Sequence, residues 1–249
     1  MSTFYVVSTP IGNMEDITLR ALKILATVDI VLCEDTRVTK KLLSRHSIST
    51  RTLSYHAHSK ISRIRDIIAM LKEGKNLALV SDAGTPGISD PGAELVSILR
   101  KELATEINIG EIKIESVPGA SALTAAFSIA GIPCANFIFL GFLPHKKGRE
   151  TLFKEIAASE RTCMFYESPH RILKTLESLV KFLGEGDGTS KSDDADLKDA
   201  ENVSAKKVTV CRELTKIFEE VVNGTPAEVL AYFNGHPDKV RGEFVVLVS

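Results

Sequence analysis

The chain predicts an α/β fold in two domains, with a mostly parallel sheet in the N-terminal half and a mixed sheet in the C-terminal half. Three observations carry this. β-Branched runs alternate with helix-period segments up to residue 117, the pattern of a parallel sheet covered by crossover helices. Beyond Pro118-Gly119 the strand-like runs are less often separated by helical segments, which favours mixed or antiparallel pairing. A length of 249 residues suits two domains of about 120 residues each better than one or three.

In the first half the strand candidates are 4–8, 30–33, 51–54, 77–80 and 112–117. Ile17, Ala21, Leu22, Leu25 and Val28 recur at helical spacing, as do Ile61, Ile64, Ile67, Ile68 and Leu71, so helices fill those crossovers. Asp90-Pro91 ahead of Ala93-Glu94-Leu95-Val96 reads as a helix start, with Asp90 as N-cap and Pro91 at the first position. In the second half strands are expected at 136–140, 161–166, 207–213, 218–222 and 242–248. The domains are accordingly placed at 1–117 and 118–249, and the Gly-, Ser- and Asp-rich stretch over 185–206 is read as a disordered surface loop.

Apolar residues make up 44% of the chain, but no apolar run approaches the roughly 20 residues of a membrane span. The N-terminus enters Phe4-Tyr5-Val6-Val7 without a basic segment or cleavage site, so a cytoplasmic location is expected. Cys33, Cys134, Cys163 and Cys211 stand far apart in apolar surroundings and read as core thiols, with no metal site expected.

The net charge of −1 hides a division along the chain. From Thr36 to Arg65 there are eight cations (Arg37, Lys40, Lys41, Arg45, Arg51, Lys60, Arg63, Arg65) and three histidines without one carboxylate. Seven acidic residues over 185–201, against Lys191 and Lys198, give that stretch a net of −5. A carboxylate-free run of that length is either a solvated helix face or a phosphate track, and the two readings stand about even.

Three loops after predicted strands are rich in small residues: Ser8-Thr9-Pro10-Ile11-Gly12-Asn13, Ser81-Asp82-Ala83-Gly84-Thr85-Pro86-Gly87 and Val117-Pro118-Gly119-Ala120-Ser121-Ala122. Ligands of open α/β sheets lie beyond the carboxyl ends of strands, where small residues let backbone approach closely. None of the three has Gly-x-Gly-x-x-Gly or P-loop spacing, and the chain has no nucleophile elbow and no His-Glu-x-x-His. Ordinary dinucleotide-binding, nucleotide-triphosphatase and hydrolase readings therefore lose support.

Thr9-Pro10-Ile11-Gly12-Asn13, Cys33-Glu34-Asp35-Thr36-Arg37, the run from Ser81 to Gly92, Pro118-Gly119-Ala120-Ser121-Ala122, Tyr166-Glu167-Ser168-Pro169-His170-Arg171, Arg212-Glu213-Leu214-Thr215-Lys216 and Arg241-Gly242-Glu243-Phe244-Val245 occur in this order. In that order and spacing, over nearly the whole length, the chain resembles the tetrapyrrole-methylase superfamily (class III methyltransferases). Within it, the likeness is to the branch that methylates the ribose 2′-hydroxyl of a decoding-centre cytidine in 16S ribosomal RNA. The acidic stretch and a modest lengthening near 101–113 depart from the family pattern without interrupting a motif.

The resemblance implies S-adenosylmethionine held between two α/β domains, ribosomal RNA or the small ribosomal subunit as partner, and a homodimer. It places Pro10, Ile11, Ser81, Asp82, Ala83, Gly84, Thr85, Pro86, Ser121 and Ala122 on the cofactor wall, with Phe165, Tyr166 and Leu214 across from them. A sulfonium methyl is already activated, so alignment does most of the catalysis. The ribose hydroxyl is a weak nucleophile and needs an acceptor for its proton, for which Glu34, Asp35, Glu167 and Glu213, together with Asp82, are the strand-end candidates. Arg37, Lys40 and Lys41, then Lys146, Lys147 and Arg149, with Arg171 and Lys216, are the expected phosphate contacts. The competing readings are a small-molecule (tetrapyrrole) methyltransferase, against which the basic run counts, and an RNA-binding assembly protein without catalysis.

Overall fold

The computed structural model describes residues 1–56, 61–133, 135–184 and 206–249. The expected loop over 185–206 lies, up to residue 205, outside the described residues, as do Lys60 and Cys134. Contacts divide the chain into two compact units, Met1–Thr124 and Ala125–Ser249.

The first unit runs β1 (Ser2–Val7), α1 (Leu19–Thr27), β2 (Ile30–Cys33), α2 (Thr36–Arg45), β3 (Thr52–Ser54), α3 (Ile61–Lys72), β4 (Leu77–Leu79), α4 (Gly92–Glu102), the short α5 (Ala104–Asn108), β5 (Ile112–Val117) and the start of α6 (Ala122–Ala130). Its strands form one sheet in the order β3-β2-β4-β1-β5, and every pairing is parallel. The chain moves from β1 through β2 to one edge at β3, then turns back through β4 to the other edge at β5. Crossovers of a single hand must change faces when that direction reverses. They do: Ala21 and Leu25 of α1 and Leu42 and Leu43 of α2 pack with Val31, Cys33 and Val80, whereas Ile67 and Leu71 of α3 and Leu95 and Leu99 of α4 pack with Phe4, Leu32 and Leu79 on the other face.

The second unit continues with β6 (Phe137–Phe142), α7 (Arg149–Ala158), β7 (Thr162–Glu167), α8 (Ile172–Gly184), β8 (Val208–Arg212), β9 (Glu220–Gly224), α9 (Pro226–Gly235) and β10 (Phe244–Val248). Its sheet is mixed, in the order β6-β7-β10-β8-β9, with β6–β7 parallel and β7–β10, β10–β8 and β8–β9 antiparallel. Phe153, Ile156, Ile172, Leu176, Leu179, Val229 and Phe233 of the three helices bury the alternate strand residues Cys163, Phe165, Val208, Val210, Phe244 and Val246. Register sets Glu167, Phe244 and Arg212 in one row across three strands.

Every run read as a strand forms one, with ends displaced by no more than two residues. Cys33, Cys163 and Cys211 are buried free thiols, and burial pushes the Cys211 thiol up to about 12. The start of α4 differs from expectation. Pro91 occupies the cap position, and Asp90 instead accepts the N–H of Gly92 at 2.7 Å and that of Gly87 at 2.8 Å, so its carboxylate braces the preceding loop as much as the helix.

The capping box of α9 yields a stability prediction. Thr225 accepts the Glu228 N–H while Glu228 accepts the Thr225 N–H at 2.8 Å, which satisfies two otherwise orphaned donors. Thr225→Ala should cost about 1 kcal/mol, read as a lower urea midpoint at unchanged slope; an unmoved midpoint would mean that the box contributes nothing.

Candidate active site at the strand ends

β4 is flanked by β2 and β1, whose following helices lie on the face opposite to α4. At such a reversal the departing chains separate and leave the strand ends uncovered. The loop that emerges there is Ser81–Gly87. Thr9 and Gly84 exchange backbone hydrogen bonds at 2.9 and 3.1 Å, the Thr9 hydroxyl donates to the Ser81 carbonyl at 3.1 Å, and the Ser81 hydroxyl donates to the Gly84 carbonyl at 3.2 Å. The Ser8 and Thr85 hydroxyls meet at 2.8 Å, and Thr85 donates to the Ala120 carbonyl at 3.2 Å. The three loops after β1, β4 and β5 are thus bonded into one layer.

That layer depends on missing side chains. Gly84 has φ +81°, and a Cβ there would stand 3.3 Å from Ile11; a Cβ at Gly119 would lie 2.9 Å from that of Ser8. Pro10, Ile11, Ser81, Asp82, Ala83, Thr85, Pro86, Ser121 and Ala122 all belong to this layer or its margins. Ser8, Thr9 and Gly119 do as much to hold it, and their place in the same motifs carries no sign of that role.

The loop after β2 joins through one contact: Asp82 Oδ1 accepts the Asp35 N–H at 3.1 Å. Asp35 caps α2 and is itself occupied, accepting the Arg37 N–H at 2.8 Å and Arg37 Nη2 at 2.6 Å. These hydrogen bonds hold its carboxyl down at about 2. Glu34 differs: no donor among the described residues reaches its side chain, and partial burial, then Asp82 and Asp90, push its carboxyl above the ordinary value.

In the second unit Phe165 is fully buried in the core, so only its backbone is available to a ligand, whereas Tyr166 is half-buried against Phe139 and Phe142. Glu167 is enclosed, accepting from Ser168 N, Arg171 Nε and the Thr175 hydroxyl at 2.8, 3.0 and 2.6 Å. Arg149 and Arg171, expected at phosphates, point their guanidinium groups into this buried cluster. The cluster depends on Thr175, which no sequence signal distinguished.

After β8 the backbone is strained: Glu213 and Thr215 have φ of 51° and 65°, a region costly for any non-glycine residue and worst for a β-branched one. Lys216 bridges Glu213 and Glu243 at 2.7 Å each, and Glu213 also accepts the Glu243 N–H at 3.0 Å. Burial works to raise the Glu213 carboxyl, but these donors outweigh it and hold it below the ordinary value. Gly242 fits against that carboxylate where any Cβ would collide with it. Leu214 is buried within this turn. Arg37, Lys40, Lys41, Lys146 and Lys147 remain exposed.

A strand-end layer of small residues at a reversal point is where open α/β sheets bind their ligands, and this one carries neither a dinucleotide nor a triphosphate motif. The tetrapyrrole (corrin/porphyrin) methylase family model matches residues 3–230. The chain belongs to this family and with it is an S-adenosylmethionine-dependent methyltransferase. It is 42% identical to a Synechocystis protein named ribosomal RNA small subunit methyltransferase I, covering 100% of this chain and 79% of that one. It is 39% identical to the Thermotoga maritima protein of the same name, covering 100% and 99%. Among solved structures, the methyltransferase CobJ aligns with TM-score 0.63 at 18% identity, over 100% of this chain and 93% of that one. Uroporphyrin-III C-methyltransferase of Thermus thermophilus, in complex with S-adenosylhomocysteine, aligns with TM-score 0.58 at 17% identity, over 98% and 96%. At those identities the structures speak for the fold alone.

Gly84→Val places a β-branched residue at positive φ against Ile11. We expect at least a tenfold loss of S-adenosylmethionine affinity by calorimetry, about 1.4 kcal/mol, in a protein that still folds. Unchanged affinity in the folded variant would remove this loop from the cofactor site.

Proposed function

We propose that this chain transfers the methyl group of S-adenosylmethionine to the 2′-hydroxyl of a cytidine ribose in the decoding centre of 16S ribosomal RNA, in the cytoplasm and as a homodimer. The names of its relatives support the RNA and the subunit. Lys40 and Lys41 on α2 and Lys146 and Lys147 after β6, exposed and in no ion pair among the described residues, support a phosphate-bearing acceptor rather than a tetrapyrrole. The exposed Ile217 and Phe218 support an apolar contact between copies, testable by the mass in solution.

The observation that carries the 2′-hydroxyl reading is Glu34. The protein must supply one acceptor for the hydroxyl proton as the oxygen–carbon bond forms and the carbon–sulfur bond breaks; the sulfur leaves neutral and needs no proton. Asp35, Asp90, Glu167 and Glu213 already accept several donors each, and Asp82 accepts the Asp35 N–H. A carboxyl at about 2, such as that of Asp35, is also too weak a base near neutrality. Glu34, raised and without a donor among the described residues, beside the cofactor layer, takes the proton.

The product class is tested with radiolabelled methyl donor and isolated small subunits or naked RNA. Ribose methylation yields an alkali-resistant labelled dinucleotide that begins with cytidine; label on a base, or none, overturns the proposal. For Glu34, protonation removes the base, so kcat should fall as pH drops through its raised pKa and level off above it. Glu34→Gln should lower kcat by about 10²–10⁴-fold and abolish that acid limb at unchanged cofactor affinity. A retained limb would assign the proton to another group.

A further inference from the structure

Between β6 and α7 the segment Leu143-Pro144-His145-Lys146-Lys147 carries two exposed lysines and no acidic residue. Two partly buried guanidinium groups hold its root. Arg171 Nη2 donates to the Leu143 carbonyl at 2.6 Å, and Arg149 Nη1 donates to the Pro144 carbonyl at 3.1 Å. Both arginines are tied to Glu167, whose side chain is 0% exposed: Arg171 directly at 3.0 Å, Arg149 through Thr175, which accepts from Arg149 Nη2 at 2.7 Å and donates to Glu167 at 2.6 Å. The Arg149 guanidinium also stacks 5.0 Å over the Phe153 ring.

A buried ion pair of this kind is rarely retained for stability, because well-packed apolar side chains of equal volume serve as well or better. What it does supply is direction, since planar guanidinium groups fix the carbonyls they bind. The geometry points to Glu167, Arg149, Arg171 and Thr175 as positioning residues that present Lys146 and Lys147 to the RNA backbone. None of the four touches RNA itself; they act by setting the loop before binding, which spares its ordering cost on association. This rests on the ribosomal RNA reading.

Thr175 decides the matter because it is fully buried and cannot meet RNA. Thr175→Val keeps the shape and deletes both hydrogen bonds. Affinity for isolated small ribosomal subunits is measured at fixed salt for the wild type, Thr175→Val, the double variant Lys146→Ala/Lys147→Ala, and the triple variant. We expect Thr175→Val to weaken binding about three- to tenfold, within the coupling range of residues sharing a network. It should leave S-adenosylmethionine affinity unchanged and add nothing in the background that lacks the lysines. Thr175→Ser should restore binding. Additive losses in the triple variant, an unweakened Thr175→Val, or wild-type binding by the lysine double variant would each overturn the inference. Should Thr175→Val not fold, Arg171→Lys, which keeps the charge but not the fork, is read through the same cycle. Failure of the wild type to bind subunits at all would instead refute the ribosomal RNA reading.

Discussion

The handedness of the crossovers in the first unit is the constraint from which its site follows. Because the chain travels first toward β3 and then back toward β5, α2 and α4 must leave neighbouring strands on opposite faces. The helices that follow β4 and its neighbours thus depart on opposite faces, and the loop after β4 emerges between them. Small residues and reciprocal hydrogen bonds take the place of packing: Gly84 against Ile11, Thr9 against Gly84, Thr85 against Ala120.

Charge is sorted by a second physical rule. Ions in contact with solvent cost little to keep, whereas buried ones persist only when fully partnered. Glu167 obeys the second condition with donors on both oxygens, while the partly exposed Lys216 also pairs with two carboxylates. Glu34 falls between: half-buried, close to other carboxylates and without a donor among the described residues. That is an unfavourable place for a structural carboxylate and a suitable one for a proton acceptor.

The strained turn after β8 follows the same logic in the backbone. Glu213 and Thr215 hold left-handed conformations only because Glu243, Lys216 and Glu219 bind the groups around them, including Glu219 to the Thr215 N–H at 2.5 Å. Gly242 leaves the space these bonds require. Two separate motifs of the chain, Arg212–Lys216 and Arg241–Val245, are therefore one structural unit.

Hydrophobic periodicity and turn residues determined the strands, the parallel and mixed halves and the three small-residue loops, because these depend on neighbours a few positions apart. The seven motifs, in order, carried the family. Which carboxylates and arginines are already engaged was decided only by tertiary structure. Glu34 and Asp35 are adjacent and chemically alike, yet Arg37 folds back on one and no donor among the described residues reaches the other. Arg149 and Arg171 read as surface cations until α7, α8 and β7 close on Glu167. Thr175 carries no local signal, since its role lies wholly in partners 8 and 26 residues away. Local sequence encodes propensity and pattern; whether a charged group is free or engaged depends on long-range packing and the desolvation that comes with it.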